Sequence, residues 1–356
     1  NNDIWGYQSW YEKGLHNLEH NVTDSKIRTN IDGTATLAFT VISQAPNAAR
    51  QHGGTSGNVL SVEELTNRKF EESDFRFITN QIWTVYQDGS IELQSSITSN
   101  EPNFVLPRLG YSMTIPKAYE NFTYYGRGPI GNYNDRKTGQ NIQKYKTTVN
   151  EEFVNFPKPQ DMANHEETRW CALTKDSPLN NNGAVFIATG NMAVSALPYT
   201  AQDMGVAAHI YELPEPGDII LHLDTKVSGL GGASCGQGGP LDHDLTYAGQ
   251  NDFGFIIRPA GEHLDKIANV APSGEVPIAI TRSYNGTVKI SSNKANAKFS
   301  YTVNNGATQD YNTAIALRQG GLIKAWYKGN KASEVTMTFS KIEKIETVVV
   351  FTSSEE

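Results

Sequence analysis

Alternation of apolar and polar residues at period two runs through most of this chain and limits its fold more than any other feature. "TATLAFTVIS" (34–43), "QIWTVYQDGSIELQSSIT" (81–98), "GAVFIATGNMAVSALPY" (183–199) and "DIILHLDTKVSG" (218–229) all read as strands, because successive side chains of a strand point to opposite faces of a sheet. Asp88-Gly89, set between two such runs, is a strong hairpin signal. Helical periodicity is scarce: "SVEELTNRKFEESD" (61–74) has the right composition but no continuous apolar stripe. A parallel eight-stranded barrel needs a long helix after every strand, and the sequence does not supply them. The expectation is an all-β fold.

At 356 residues the chain is longer than one ordinary core serves, so two domains are expected. The texture changes near Ala260, where "PAGEHLDKIANVAPSGEVP" (259–277) is punctuated by Pro and Gly and reads as a linker. Boundaries of 1–268 and 269–356 follow. Beyond the linker come short runs such as "TVKISS", "KFSYTVNNG" and "GLIKAWYKG", with turn signals at Asn285-Gly286 and Asn305-Gly306. Short, evenly spaced strands of this kind predict a small antiparallel sandwich of ~80 residues.

Lys and Arg total 30 against 38 Asp and Glu, for a net charge of −8. The basic residues are scattered, so no field exists to displace counterions from phosphates and nucleic acid is excluded as a partner. No run of apolar residues is long enough to insert in a bilayer as a helix. The opening "NNDIWGYQSW" has neither the charge nor the apolar run of a signal peptide, and it lacks an initiator Met, so a fragment of a longer chain is expected. Cys171 and Cys235 are the only cysteines, too few for a disulfide scaffold or a thiolate zinc site.

Searches for chemistry end without a catalytic constellation. "GRGPIG" (126–131) has dinucleotide-like glycine spacing, but Pro129 follows the second Gly and no helix pattern follows the third, so it reads as a turn-rich loop. His16 and His20 lie four apart without an accompanying ligand motif, and "DHD" (242–244) reads as turn residues, so no metal site is expected. Glu166/Glu167 and Glu63/Glu64 are adjacent and would face opposite sides of a strand, so neither pair can flank one glycosidic bond. Cys171, inside "TRWCALT", reads as a small buried hydrophobe.

A set of motifs nevertheless falls into a known order. "FTYYGRGPIGNYNDRKTG" (122–139) resembles the "W.G.GP.ENY.DR" signature of the small-chain domain of glycoside hydrolase family 2 β-galactosidases. "LPRLGYSMTIP" (106–116), "NFPKPQDMANHEETRWCALT" (155–174), "HIYEL" (209–213) and "LHLDTKVSGLGGASCG" (221–236) are similar to further landmarks of the same domain, in the same order. The opening "NNDI" looks like the tail of that domain's "P..ND" motif.

The resemblance implies a galactose-mutarotase-like supersandwich followed by a small immunoglobulin-like β-sandwich of the chitobiase C-terminal type, with a linker at the C-terminal end. It also implies that the parent is a retaining exo-β-galactosidase whose two catalytic glutamates lie in a TIM barrel upstream, so no catalytic residue is expected in this chain. Any magnesium or sodium would belong to that barrel, and no cofactor is expected here. The partners implied are a β-galactoside, the upstream barrel and other copies of the parent; the location implied is the periplasm or exterior of a bacterium. Arg127, Gly128, Pro129, Asn132, Tyr133, Asp135 and Arg136 are expected to be architectural, bound by hydrogen bonds and an Asp–Arg pair. In one branch of the family the loop after "GLGG" sets a Trp against galactose. Here Ser234, Cys235, Gly236 and Gln237 take that place and, with His243, are the candidate pocket rim. Two other functions are compatible with the sequence. One is a non-catalytic carbohydrate-binding protein using Tyr124, Tyr125, Tyr133 or Trp326; the other is a mutarotase-like epimerase using Glu166 with His165 or His209.

Overall fold

The structure, a computed structural model, describes residues 6–30, 33–47, 50–52, 61–63, 69–176, 182–230, 239–261, 263–269, 278–283, 285–292 and 296–342, without the side chains of 50–52, 61–63, 279 and 332. The chain divides into two compact units, residues 1–30 with 34–272 and residues 31–33 with 273–356. Strands dominate both, as the period-two pattern requires.

The principal strands of the first unit are β1 (Glu19–Thr29), β2 (Ala35–Gln44), β3 (Phe77–Val85), β4 (Ile91–Ser99), β5 (Arg108–Ile115), β6 (Asn121–Gly128), β7 (Asn141–Thr148), β8 (Trp170–Lys175), β9 (Asn182–Ala188), β10 (Ala193–Leu197), β11 (Ile219–Val227) and β12 (Asn251–Pro259). Nine of them form one antiparallel sheet in the order β1-β2-β3-β4-β12-β9-β8-β6-β7. The other three form a second sheet, β10-β11-β5. The β3–β4 hairpin turns at Asp88-Gly89, where Gly89 takes φ +82° and Asp88 Oδ1 accepts from Ser90 N at 2.8 Å. That geometry is why the dipeptide signals a turn.

Facing rows of these two sheets make the core. Leu93, Phe122, Tyr124, Phe186 and Phe255 from the large sheet pack with Val194, Leu221 and Leu223 from the small one. Alternation along β11 sends Ile219, Leu221 and Leu223 into this layer and sets His222 and Asp224 on the opposite face. The reverse side of the large sheet is also apolar, with Trp170, Ala172, Val185 and Ile187 covered by a helix at Leu264–Ala268. This helix lies within the stretch 259–277 that the sequence reads as a linker. Leu264 and Ile267 are apolar at helical spacing, and Arg258 Nη1 holds the Ile267 carbonyl at 2.9 Å.

In the second unit a three-stranded sheet (Ala279–Arg282, Thr287–Ser291, Ile315–Ala316) and a four-stranded one (Phe299–Val303, Gln309–Asp310, Gly321–Tyr327, Asn330–Phe339) share a core of Ile280, Val288, Ile290, Phe299, Ile323 and Ala325. At the Asn305-Gly306 turn the left-handed positions are Asn304 (φ 50°) and Asn305 (φ 59°). Asparagine tolerates them because its short amide bonds locally. Among the described residues no helix is long and apolar enough to cross a membrane.

Phe122→Ala should lower unfolding stability by about 3–5 kcal/mol, because the ring is fully buried between the sheets. Ile130→Ala, at a side chain 67% exposed, should change it by less than about 0.5 kcal/mol. Urea denaturation of the two variants measures the contrast.

Candidate functional site

A guanidinium sits at the junction of the small sheet and its covering loops. Arg108, the first residue of β5, lies with Nε 3.5 Å from Asp224 Oδ2 and Nη2 3.6 Å from Asp161 Oδ1. Tyr133, 1% exposed, donates its hydroxyl to Asp161 Oδ2 at 2.6 Å. Burial alone would lower the Arg108 pKa, but the charges of Asp224 and Asp161 outweigh it and drive the value up. Burial raises Asp224 to about 6 against the pull of Arg108, and burial with the Arg108 charge lowers His222 to about 3. Gly110 makes the arrangement sterically feasible: a Cβ there would lie 2.2 Å from the Leu223 carbonyl and 2.5 Å from Asp224 Oδ1.

The glycine-rich loop after β6 is tied to this cluster. Asn132, fully buried, donates through Nδ2 to the carbonyls of Arg127 (2.9 Å) and Ile130 (3.1 Å), and its Oδ1 accepts from Glu166 N at 2.9 Å. Asn164 answers by donating to the Asn132 carbonyl at 2.8 Å. Arg127 reaches the Gln140 carbonyl at 2.8 Å, and its carboxylate partner is Glu167, at 3.1 Å from Nη2. The Arg136 guanidinium lies 5.5 Å from the Tyr133 ring centroid. Asp135 Oδ1 accepts from Leu230 N at 3.2 Å, and a Cβ on Gly229 would sit 2.6 Å from the Asp135 carboxyl carbon. The loop therefore grips the start of the "GLGG" segment. The Gly128-Pro129 peptide is cis.

Beside the guanidinium lies a cavity of about 280 Å³, lined by Trp10, Arg108, Asp161, His222, Ser228 and Leu230 among others. Trp10 is fixed there by donating Nε1 to the Val105 carbonyl at 2.8 Å. Ser234, Cys235, Gly236 and Gln237, the candidate rim, lie outside the described residues. His243 is on a short turn at Asp242–Asp244 with its side chain 76% exposed, 3.4 Å from Asp244 Oδ2. It borders a separate polar depression of about 240 Å³ shared with Lys137, Glu166 and Glu167. Burial raises the Glu166 pKa.

The pairs considered for an epimerase are not brought together. His165 is fully buried, stacked on Tyr124 at 4.1 Å and held between Glu152 Oε2 (2.8 Å) and the Arg127 carbonyl (3.0 Å). His209 is exposed and pairs with Glu212 at 3.0 Å. Of the aromatic residues considered as a sugar platform, Tyr124, Tyr133 and Trp326 are buried and only Tyr125 is exposed. Cys171 is fully buried in β8 and burial pushes its thiol pKa far up. Among the described residues no group of His, Cys, Asp and Glu is placed to hold a metal ion. Arg108, Asp161, His222 and Asp224 were not singled out by the sequence. The legible signal was charge inside otherwise apolar strands, in "LPRLG" and "LHLD".

The family model described as beta galactosidase small chain matches residues 1–257. The chain belongs to that family. The chain is 30% identical over 180 residues to a β-galactosidase of Priestia megaterium, covering 50% of this chain and 17% of that protein. A β-galactosidase of Halalkalibacterium halodurans is 28% identical over 181 residues, 49% of this chain and 17% of that protein. One of Streptococcus thermophilus is 32% identical over 162 residues, 44% of this chain and 15% of that protein. The aligned portion is thus less than a fifth of the length of these relatives. In the small-chain module the landmark motifs "LPR", "PQD", "NYNDR" and "HLD" supply Arg108, Asp161, Tyr133 and Asp224, which meet at one place.

Gly110→Ala should be destabilising by about 1–3 kcal/mol or more, since the added methyl meets backbone atoms. Gly139→Ala, with nothing within 4 Å, should be near neutral in the same thermal unfolding assay. A second test uses pH. The folded His222 pKa of about 3 lies below the ordinary 6.5, so the unfolded chain takes up the proton first on acidification. His222 therefore costs stability progressively as pH falls from about 6.5 towards 3, by up to about 1.4 kcal/mol per pKa unit. His222→Gln should lose less stability than the wild type between neutral pH and about pH 4 in urea unfolding.

Proposed function

We propose that this chain is an accessory part of a glycoside hydrolase family 2 β-galactosidase, whose hydrolysis of terminal β-galactosides takes place in a barrel domain outside these residues. The observation that carries the proposal is the family match over residues 1–257, together with relatives named β-galactosidase that are several times longer than the part matched. Retaining hydrolysis uses two carboxyl groups about 5 Å apart on either side of the scissile bond. Four carboxylates of the site have other occupations: Asp161 and Asp224 both face Arg108, Glu167 pairs with Arg127, and Glu152 holds His165. The task left to the chain is positional. Asp135 anchors Gly229 and Leu230, the described residues at the start of the "GLGG" segment. In the same proposal the metal ions of the parent belong to the barrel, the parent is exported by a bacterium, and the second unit is an appended immunoglobulin-like module.

Incubated with p-nitrophenyl β-D-galactoside, the purified chain should give no turnover above the uncatalysed rate. In the complete parent enzyme, Asp135→Ala should reduce kcat/KM several-fold by loosening the 229–230 anchor, while Asp265→Ala on the surface should not. Robust turnover by the isolated chain would place the catalytic carboxylates here and overturn the proposal.

A further inference from the structure

We propose that β1 is a self-complementary edge, through which two copies of this chain pair antiparallel about a two-fold axis at Ser25 and join their large sheets into one. β1 is the first strand of the nine-stranded sheet and, among the described residues, has a strand on one side only. Nine strands face three, so β1 lies beyond the cover of the small sheet, and all eleven of its residues are exposed. An open edge of this length is a template for another strand. Whether it accepts or repels its own copy depends on the residues that the pairing sets opposite each other.

The register of β1 on β2 sorts its side chains. Thr23 is an extra residue between the pairs Val22–Val41 and Asp24–Thr40, a bulge that alters the phase of the strand. Beyond it Ser25 and Ile27 pair with Phe39 and Leu37. Positions 37, 39 and 41 share one face of β2, so Val22, Ser25 and Ile27 share one face of β1. Val22, 60% exposed, lines the open groove left by the unequal sheets, and Ile27 is 76% exposed. Asp24 and Lys26 lie on the other face, with Lys26 Nζ 3.3 Å from Asp24 Oδ2. An axis at Ser25 sets that residue opposite its own copy and Asp24 opposite Lys26 of the second copy. Past the bulge it sets Val22 opposite Ile27. Opposite charges thus meet twice on one face and exposed apolar side chains twice on the other, and both kinds of cross-strand pair are stabilising. Moving the axis by one residue would oppose Asp24 to Asp24 or Lys26 to Lys26. Such self-complementarity is what a two-fold interface requires. The far edge of the sheet lacks it: β7 carries Lys144 and Lys146, both exposed, and an axis at Tyr145 between them opposes lysine to lysine.

The inference does not rest on the hydrolase reading, because its readout is mass alone. Sedimentation equilibrium of the whole 356-residue chain, from micromolar to submillimolar concentration, tests it. One strand pair is a small contact, so a weak, concentration-dependent dimer is expected. Asp24→Lys and Lys26→Asp should each raise its dissociation constant about tenfold or more, and the double variant carrying both should restore it. Both side chains are exposed, so the fold is kept in all three. A cross-link locates the axis. In a Cys235→Ser background, Ser25→Cys should form an intermolecular disulfide with oxidised glutathione, since opposed Cα atoms of an antiparallel pair are about 5 Å apart. Gln143→Cys, exposed on β7, should not. A wild type that stays monomeric throughout, a dimer indifferent to the charge reversals or not restored by the double variant, or failure of Ser25→Cys to cross-link overturns the proposal.

Discussion

The half-buried charge of Arg108 is the constraint on which the rest of the first unit depends. A guanidinium removed from water must be met by negative charge, and here it is met from two sides by Asp224 of the neighbouring strand and Asp161 of a crossing loop. Asp161 in turn accepts from Tyr133, which brings in the glycine-rich loop. Four segments widely separated in sequence are thereby fixed to one another by one charge. Hydrophobic packing between the sheets is larger in total, and the partly buried ion cluster adds a directional constraint to it.

From that centre the polar order spreads outward. The Asn132–Asn164 exchange and the His165 bridge between Glu152 and Arg127 give the loop an interior of its own, so its backbone groups are paired without a sheet. Asp135 extends the order to Gly229 and Leu230. The loop that first suggests a phosphate cradle is therefore a clasp, with its glycines set where backbone and side chains approach closely. Gly128 faces the Tyr124 hydroxyl and Gly131 faces the Ala163 backbone.

The unequal widths of the two sheets have a second consequence. Where the three-stranded sheet covers the large one, both faces are apolar and dry, as at Phe122, Leu221 and Phe255. Where it does not, the same face turns mixed, with Ser43, Thr79 and Gln81 between Val41, Phe77 and Trp83. Arg108 and Asp224, paired with one another, lie along its margin.

Much of the architecture was legible in the residues. Period-two runs located β2, β3, β4, β9, β10 and β11, and Asp88-Gly89 located a hairpin, because strand alternation and left-handed turns are local requirements. The ordered motifs named the family, which the match over 1–257 bears out. The helix at Leu264–Ala268 was hidden, since a five-residue helix owes its stability to the sheet beneath it and not to its own periodicity. What the sequence determined by itself was the strand content, the turn positions and the kinship. Only the tertiary structure decided that Arg108, Asp161, Tyr133 and Asp224 meet, and that β1–β3 border an open groove. Both depend on pairings between strands far apart in the chain, and the order of strands in a sheet is a global outcome of packing that no local pattern encodes.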